Sequence, residues 1–337
     1  MNISAARQLH ENSIVIDGTC PLLEDPNYID WYIEGGVTIA TPTVGGPVPA
    51  QMSLDLIGYL LEFIRCRDDL VLIESAQDVY DAKSAGKTGL VFHFQGTDAI
   101  GDDLNNVNLF HKLGVRIMQL TYNVDNLIGS GAQVEDNGLT DFGREFIDRC
   151  NDVRVIVDCS HTGVRTTLEA IQASKRPVIC SHSNSKQVFE TQSDRNINDQ
   201  QIRAISESGG VVGVVGFPGF ISSSSTPSMA KFLLHIDHIV KVGGIDHVSL
   251  GIDYYPGQHP IADDHEAIRL FESYVEAGAW SGPDYPRPPH IYPAGIETPK
   301  TMPRLTEALL NHGYSEEETK KILGLNLLRV YREVWGQ

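Results

Sequence analysis

Residues 154–161 read Arg-Val-Ile-Val-Asp-Cys-Ser-His, and residues 177–183 read Pro-Val-Ile-Cys-Ser-His-Ser. Both are short runs of Val and Ile that end in Cys-Ser-His. Such runs lack the polar alternation of a half-exposed strand and suit parallel strands buried on both faces. Between them, residues 163–173 carry apolar residues at helical spacing, so the segment reads strand, helix, strand.

The same unit extends in both directions. Further strand runs fall at 13–17, 36–41, 89–95, 115–121, 210–216 and 248–253, making eight with 154–159 and 177–181. Helical patterns occupy 54–67, 75–85, 104–113, 141–151, 199–208 and 229–242. Ser53, Asn105, Thr140, Thr162 and Asn198 stand where N-caps are expected. Eight strands alternating with helices, without a linker, predict an α/β fold: a single (β/α)8 TIM barrel over 1–337. A Pro-rich stretch at 283–303 reads as an insertion after strand eight. Residues 304–337 read as a C-terminal helical tail broken at Gly313 and Gly324.

Composition narrows the function classes. The chain has 26 basic and 44 acidic residues, a formal charge of −18. That balance excludes the clustered Lys and Arg of a nucleic-acid surface and disfavours an anionic membrane. No run of 18 apolar residues is present to span a bilayer, and residues 1–12 lack the form of a secretory signal. The five cysteines are odd in number and have no zinc-knuckle spacing. A reducing, cytoplasmic setting is therefore expected.

In a barrel the active site forms where strands end. The polar residues there are Asp17, Thr19 and Cys20 after strand one, and His93 and Gln95, two apart and on one face, in strand three. Tyr122 and Asn123 follow strand four, His161 strand five, His182 strand six and Asp253 strand eight. Two imidazoles at adjacent strand ends can meet over the mouth and share one metal ion, or each can simply cap its strand. Asp253, anionic and at a strand end, is the first further ligand candidate, and His93 and Cys20 are others. His93 reads more readily as a buried, hydrogen-bonded imidazole, and Cys20 as a small core residue.

Residues 86–253 resemble the membrane (renal) dipeptidase family, a metal-dependent branch of the amidohydrolase superfamily. The matching segments include Leu120-Thr121-Tyr122-Asn123, Gly138-Leu139-Thr140-Asp141-Phe142-Gly143, Val157-Asp158-Cys159-Ser160-His161, Ser181-His182-Ser183, Asp194-Arg195-Asn196 and Gly251-Ile252-Asp253. Leu305-Thr306-Glu307-Ala308-Leu309 and Lys321-Ile322-Leu323-Gly324-Leu325-Asn326 match in the tail. The resemblance implies a homodimer and two zinc ions bridged by a Glu. It makes His161 and His182 ligands of the second ion, Asp253 the proton acceptor for the attacking water, and Arg195 the contact for a substrate carboxylate. Gln95 and Asn123 would touch substrate. The first ion's His-x-Asp pair is Thr19 and Pro21 here, the bridging Glu is Gln95, and the family's His after strand four is Tyr122.

A rebuilt pocket of this kind is expected to hold zero or one zinc, because Thr, Pro and Gln supply no anionic ligand. Tyr122 could donate to a substrate oxyanion. A retained Arg195 among lost carboxylates is expected to leave the pocket more positive than the family's. The reading is a dipeptidase-like metallohydrolase that cleaves an amide in a small carboxylate-bearing substrate, a dipeptide or N-acyl amino acid. The alternatives are a lyase or decarboxylase on the same frame, or a non-catalytic carboxylate-binding protein.

Overall fold

The structure is a computed structural model that describes residues 3–336. The Val- and Ile-rich runs form strands β1 (Ile16–Cys20), β2 (Ile39–Gly45), β3 (Leu70–Leu72), β4 (Thr88–Leu90), β5 (Phe92–Phe94), β6 (Val115–Gln119), β7 (Ile156–Asp158), β8 (Val178–Ile179), β9 (Val212–Val214) and β10 (Val248–Leu250). A short pair, β11 (Gln258–His259) and β12 (His290–Ile291), lies outside the barrel wall. Every strand pairing is parallel. The order runs β1, β2, then β4 and β5 as one split stave, β6, β7 and β8. A bridge between Cys180 and Val212 continues to β9, which pairs with β10.

The ring closes between β10 and β1. Asp253 N donates to Thr19 O at 3.2 Å, and the buried Asp17 side chain accepts from Ile252 N at 2.8 Å. Gly18 allows this approach, since a Cβ there would stand 2.9 Å from Leu250 O. These eight staves are the (β/α)8 barrel that the sequence pattern predicts. The first stave lies later than expected, at 16–20 rather than 13–17, which places Thr19 and Cys20 inside it. β3 was not anticipated; it pairs with β4 at the barrel edge.

The core has two layers. Ile16, Ile39, Ile117, Ile156 and Ile179 point into the lower barrel and meet Leu327, Leu328, Tyr331 and Trp335 of the tail. The last helix, Asn326–Trp335, thus plugs the barrel floor, and each such aliphatic side chain contributes roughly 1.5–3 kcal/mol on burial. The second layer lies between the strands and the outer helices.

Helix starts follow the caps only in part. Thr140 accepts from Gly143 N, and Asn198 forms a capping box with Gln201. Ser53 is instead inside helix Ala50–Arg65, which starts after Pro49, and Asn105 is the first residue of its helix rather than its cap. Helix Val164–Ala173 is capped by the distant Asp136 carboxylate, which accepts from Arg165 N and Thr166 N, and not by Thr162. The insertion after β10 is longer than its Pro-rich half, because helix Asp264–Glu276 precedes it. The tail breaks at Gly313 but not at Gly324, which lies in a π-helical turn, Lys321–Leu325, running into the last helix. A Cβ on Gly324 would meet Ile14 O at 2.5 Å, so the wide turn brings bare backbone against the barrel floor. Among the described residues, no helix is long and apolar enough to cross a membrane.

Candidate functional site

Four described non-glycine residues have positive φ, and three of them stand at strand ends over the barrel mouth: Asn123 at 62°, His161 at 58° and Asp253 at 65°. The left-handed region costs a side-chain-bearing residue free energy and persists where surrounding structure holds it. Here the turn after each strand aims a polar side chain at the barrel axis.

His161 and His182 meet there, Nε2 to Nε2, at 2.8 Å. The opposite ring nitrogens assign both tautomers. His161 Nδ1 faces Asn123 Oδ1 at 2.8 Å. The Asn123 orientation is settled by its Nδ2, which donates to Ala279 O and Tyr285 Oη, both at 2.8 Å. His161 Nδ1 therefore carries the hydrogen. His182 Nδ1 faces Ser181 Oγ at 2.7 Å, and that hydroxyl donates to Asp158. Thr19 Oγ1, whose own hydrogen goes to Gly18 O, lies 3.2 Å from the same Nδ1. His182 Nδ1 is thus also the donor.

Both Nε2 lone pairs consequently converge on one point. Burial, then the Arg195 charge, lowers the pKa of both imidazoles well below the ordinary value, although Asp158 partly offsets this at His182. A shared proton is disfavoured, and a cation with affinity for neutral imidazole suits the pair. The pair therefore offers two neutral imidazole nitrogens to a cation, each backed by an Nδ1 partner of the kind that orients metal-bound histidines. His161 and His182 are brought together as the sequence predicts.

The additional ligands do not assemble. Among the described residues, no cluster of three or more His, Cys, Asp or Glu has metal-binding geometry. His93 Nε2 pairs with Asp158 at 3.0 Å, both wholly buried. Cys20 Sγ lies in the core between Asp17 O and Thr41 N, and burial raises its thiol pKa well above the ordinary value. Neither His93 nor Cys20 joins the His pair, because each is committed to a neighbour one layer down. Asp253 also remains outside a three-ligand cluster. Thr19, at a first-site position, serves His182 through its hydroxyl.

Beside the His pair opens a cavity of about 320 Å³, lined by His161, Asp253, Gln95, Tyr122 and aromatic residues of the β10 insertion. Burial pushes the Asp253 carboxyl up to about 7; Arg195 lowers it, Asp17 raises it, and the nearby Gln95 amide lowers it. Gln95 Nε2 has no partner. Tyr122 stacks on His161 with ring centroids 4.2 Å apart, and its hydroxyl accepts from Trp280 Nε1 at 3.1 Å.

Arg195 is fully buried, not a surface residue. Its Nη1 donates to His182 O and Ser183 Oγ, and its guanidinium lies 4.5 Å over Phe220. Its Nε and Nη2 have no partner, while neighbouring Asp194 pairs with Lys186 instead. Arg195 stands behind the cavity wall, and the residues lining the cavity include Glu24 and Asp253 but no Lys or Arg. The guanidinium expected to make the pocket more positive thus acts from behind its wall, where its charge still lowers the pKa of His161, His182 and Asp253. Asn123 is wholly buried and orients His161; the structure shows no open face on it for substrate.

Sequence reasoning missed the supports. Asp158 accepts from the Ser160 and Ser181 backbone and hydroxyl groups as well as from His93. Burial would raise its pKa, but His93, His182 and Ser181 hold it well below the usual carboxylate range. The repeated Ser before each His was the available signal. Trp280 and Tyr285, which cover the site, had no local signal, because they arrive from a distant insertion.

The sequence model of the membrane dipeptidase family (peptidase family M19) matches residues 49–284 and 281–336. Dipeptidase tcpJ of Claviceps purpurea is 27% identical over 287 residues, 83% of this chain and 59% of that protein. Uncharacterized dipeptidase C965.12 of Schizosaccharomyces pombe is 27% identical over 319 residues, 92% of this chain and 66% of that protein. The chain thus spans only about 59–66% of the length of these curated relatives. The crystal structure of an amidohydrolase from Pseudomonas aeruginosa superposes with a TM-score of 0.90 and 32% identity, covering 98% of this chain and 99% of that one.

Proposed function

The chain belongs to the membrane dipeptidase family, and from that premise we propose that it is a metal-dependent hydrolase cleaving an amide bond in a small, carboxylate-bearing substrate such as a dipeptide. The observation that carries this reading is the pair of converging Nε2 lone pairs on His161 and His182, with both Nδ1 hydrogens anchored. They would hold at most one zinc, because Thr19, Pro21 and Gln95 stand where the family resemblance implies the His, Asp and Glu ligands of a second. A bound zinc supplies Lewis acidity, polarising an amide carbonyl and acidifying a water.

The chain's own residues do the rest. Asp253, with its pKa raised to about 7, takes the proton of the attacking water near neutrality and returns it to the leaving amine. Tyr122, half-buried at the cavity wall, directs its hydroxyl toward the oxygen on which charge develops. Arg195 offers the unpartnered Nε and Nη2 edge as a fork for the substrate carboxylate, which requires Tyr285 or Phe220 to yield. Gln95 Nε2 is a free donor at the same wall.

Elemental analysis of the purified protein, followed by a dipeptide screen with and without added Zn²⁺, tests this. About one zinc per chain and zinc-dependent hydrolysis are expected. Absence of both would favour the carboxylate-binding alternative, which the neutral first-site residues support. Bound zinc without amide hydrolysis would favour lyase or decarboxylase chemistry.

A further inference from the structure

The turn that lost the metal-binding carboxylate at Pro21 carries another three residues on. Glu24 ends the single 3-10 turn Pro21–Glu24; its three preceding residues are buried, and Glu24 itself lines the cavity with solvent access through the mouth. The crowded wall around it raises its carboxyl pKa in spite of that exposure, and no hydrogen bond or cation offsets the rise. Its charge is felt at Tyr274, also on the cavity wall.

From Tyr274 a stack of rings leads inward. Tyr274 and Trp280 stack at 4.5 Å and 20°, and Trp280 and Tyr285 at 4.7 Å and 20°. Tyr285 Oη lies 3.4 Å from His161 Nδ1. The aromatic faces thus connect an outer carboxylate to the His pair. Thr43, Ser53 and Gln95 line the same cavity, each more than nine-tenths buried, and each has a polar side-chain atom with no partner. A cavity with two carboxylates, no Lys or Arg on its wall, aromatic rings and the unpartnered Thr43 and Ser53 hydroxyl oxygens, which can accept from an ammonium, matches an organic cation.

We propose that the outer half of this cavity is an ammonium subsite, in which Glu24 pairs with a protonated amine of the substrate beside the Tyr274 ring. This rests on the hydrolase reading for the identity of the site and deepens it. Arg195 stands behind the inner wall and reaches a substrate carboxylate only where Phe220 or Tyr285 yields, so the feature read at the cavity's outer end is the free amine at Glu24. N-acyl amino acids, which lack the amine, are poor ligands. Glu24 acts in specificity; it touches the substrate away from the reacting atoms.

Isothermal titration of the full chain with benzylammonium and benzyl alcohol tests the subsite without requiring turnover. Wild type is expected to bind benzylammonium at least about tenfold more tightly, as an ion pair against aromatic faces implies. Glu24→Gln, matched in shape, should reduce that preference to within about threefold with unchanged thermal midpoint. Glu24→Lys should reject benzylammonium. No charge preference in wild type, or a preference retained in Glu24→Gln, would overturn the proposal. Dipeptide hydrolysis in which Glu24→Gln leaves the KM for glycylglycine unchanged also counts against it, while the hydrolase reading survives. A Glu24-dependent ammonium preference without any hydrolysis would uphold the subsite and remove the hydrolase reading.

Discussion

The two sides of the barrel mouth differ in what lies beneath their polar residues. On the β7–β8 side, His161 and His182 rest on Asn123, Ser181 and Asp158, and Asp158 itself accepts five further hydrogen bonds or ion contacts from Ser160, Ser181 and His93. On the β1–β5 side, Thr19 has turned to serve His182, Pro21 has no polar side chain, and Gln95 Nε2 has no partner. A ligand is more than a residue type at a strand end. It needs a partner that sets its tautomer and orientation. One side kept that support, and the other became a cavity wall open to an organic ligand.

The largest test separates the sides physically. A cut after Asn151 leaves β1 to β6 on one fragment and β7 to β10 on the other. With every stave hydrogen-bonded across the ring and the tail plugging its floor, we expect neither fragment to melt cooperatively alone. Two soluble fragments with sharp thermal transitions would show the sides to be independent domains.

Removing the support of the intact side should come next in size. Asp158→Ala leaves His93 and two serine hydroxyls without their buried acceptor, and about 3–5 kcal/mol of stability should be lost. Urea denaturation reads this; a loss below about 1 kcal/mol would mean the network is slack. The sign with pH follows. Because the folded pKa of Asp158 is depressed, its stabilisation is complete above the unfolded value of about 3.9 and is lost as pH falls through the folded value.

The other side can be rebuilt. Thr19→His, Pro21→Asp and Gln95→Glu together restore three charged or imidazole ligands, and zinc content should rise from about one to about two per chain. Two ions already bound in the unaltered protein would erase the difference between the sides.

The smallest effect concerns Asp253, which faces both sides. A carboxylate that accepts a proton must be ionised, so kcat should fall about tenfold per unit of pH below about 7. A flat profile between about pH 5.5 and 8 would take Asp253 out of that role. Its effect on stability runs opposite to that of Asp158. The raised folded pKa contributes stability that is full below about 3.9 and disappears as pH rises through about 7.

Much of the barrel was legible because its information is local. A Val- and Ile-rich run such as 154–159 states its burial on both faces, and Asn198 with Gln201 states a helix start. The His161–His182 pair was legible too, since parallel neighbours in register bring equivalent strand ends together. The failures have one cause. Ser53 and Thr162 lost their expected capping roles to Pro49 and to Asp136, and the Gly324 break was overridden by the close approach of Ile14 O. Each depends on a group that local sequence does not specify.

The chain's own residue order therefore determined that eight parallel staves would form and that two imidazoles would stand at neighbouring ends. Only the tertiary structure decided which nitrogen of each imidazole faces inward, that Arg195 is buried behind Phe220, and that Glu24 and Trp280 share a cavity with Asp253. Periodicity reports burial within one element, whereas tautomer, charge balance and cavity shape depend on residues far apart in the chain, such as Glu24 and Trp280, and their contacts exist only once the ring has closed.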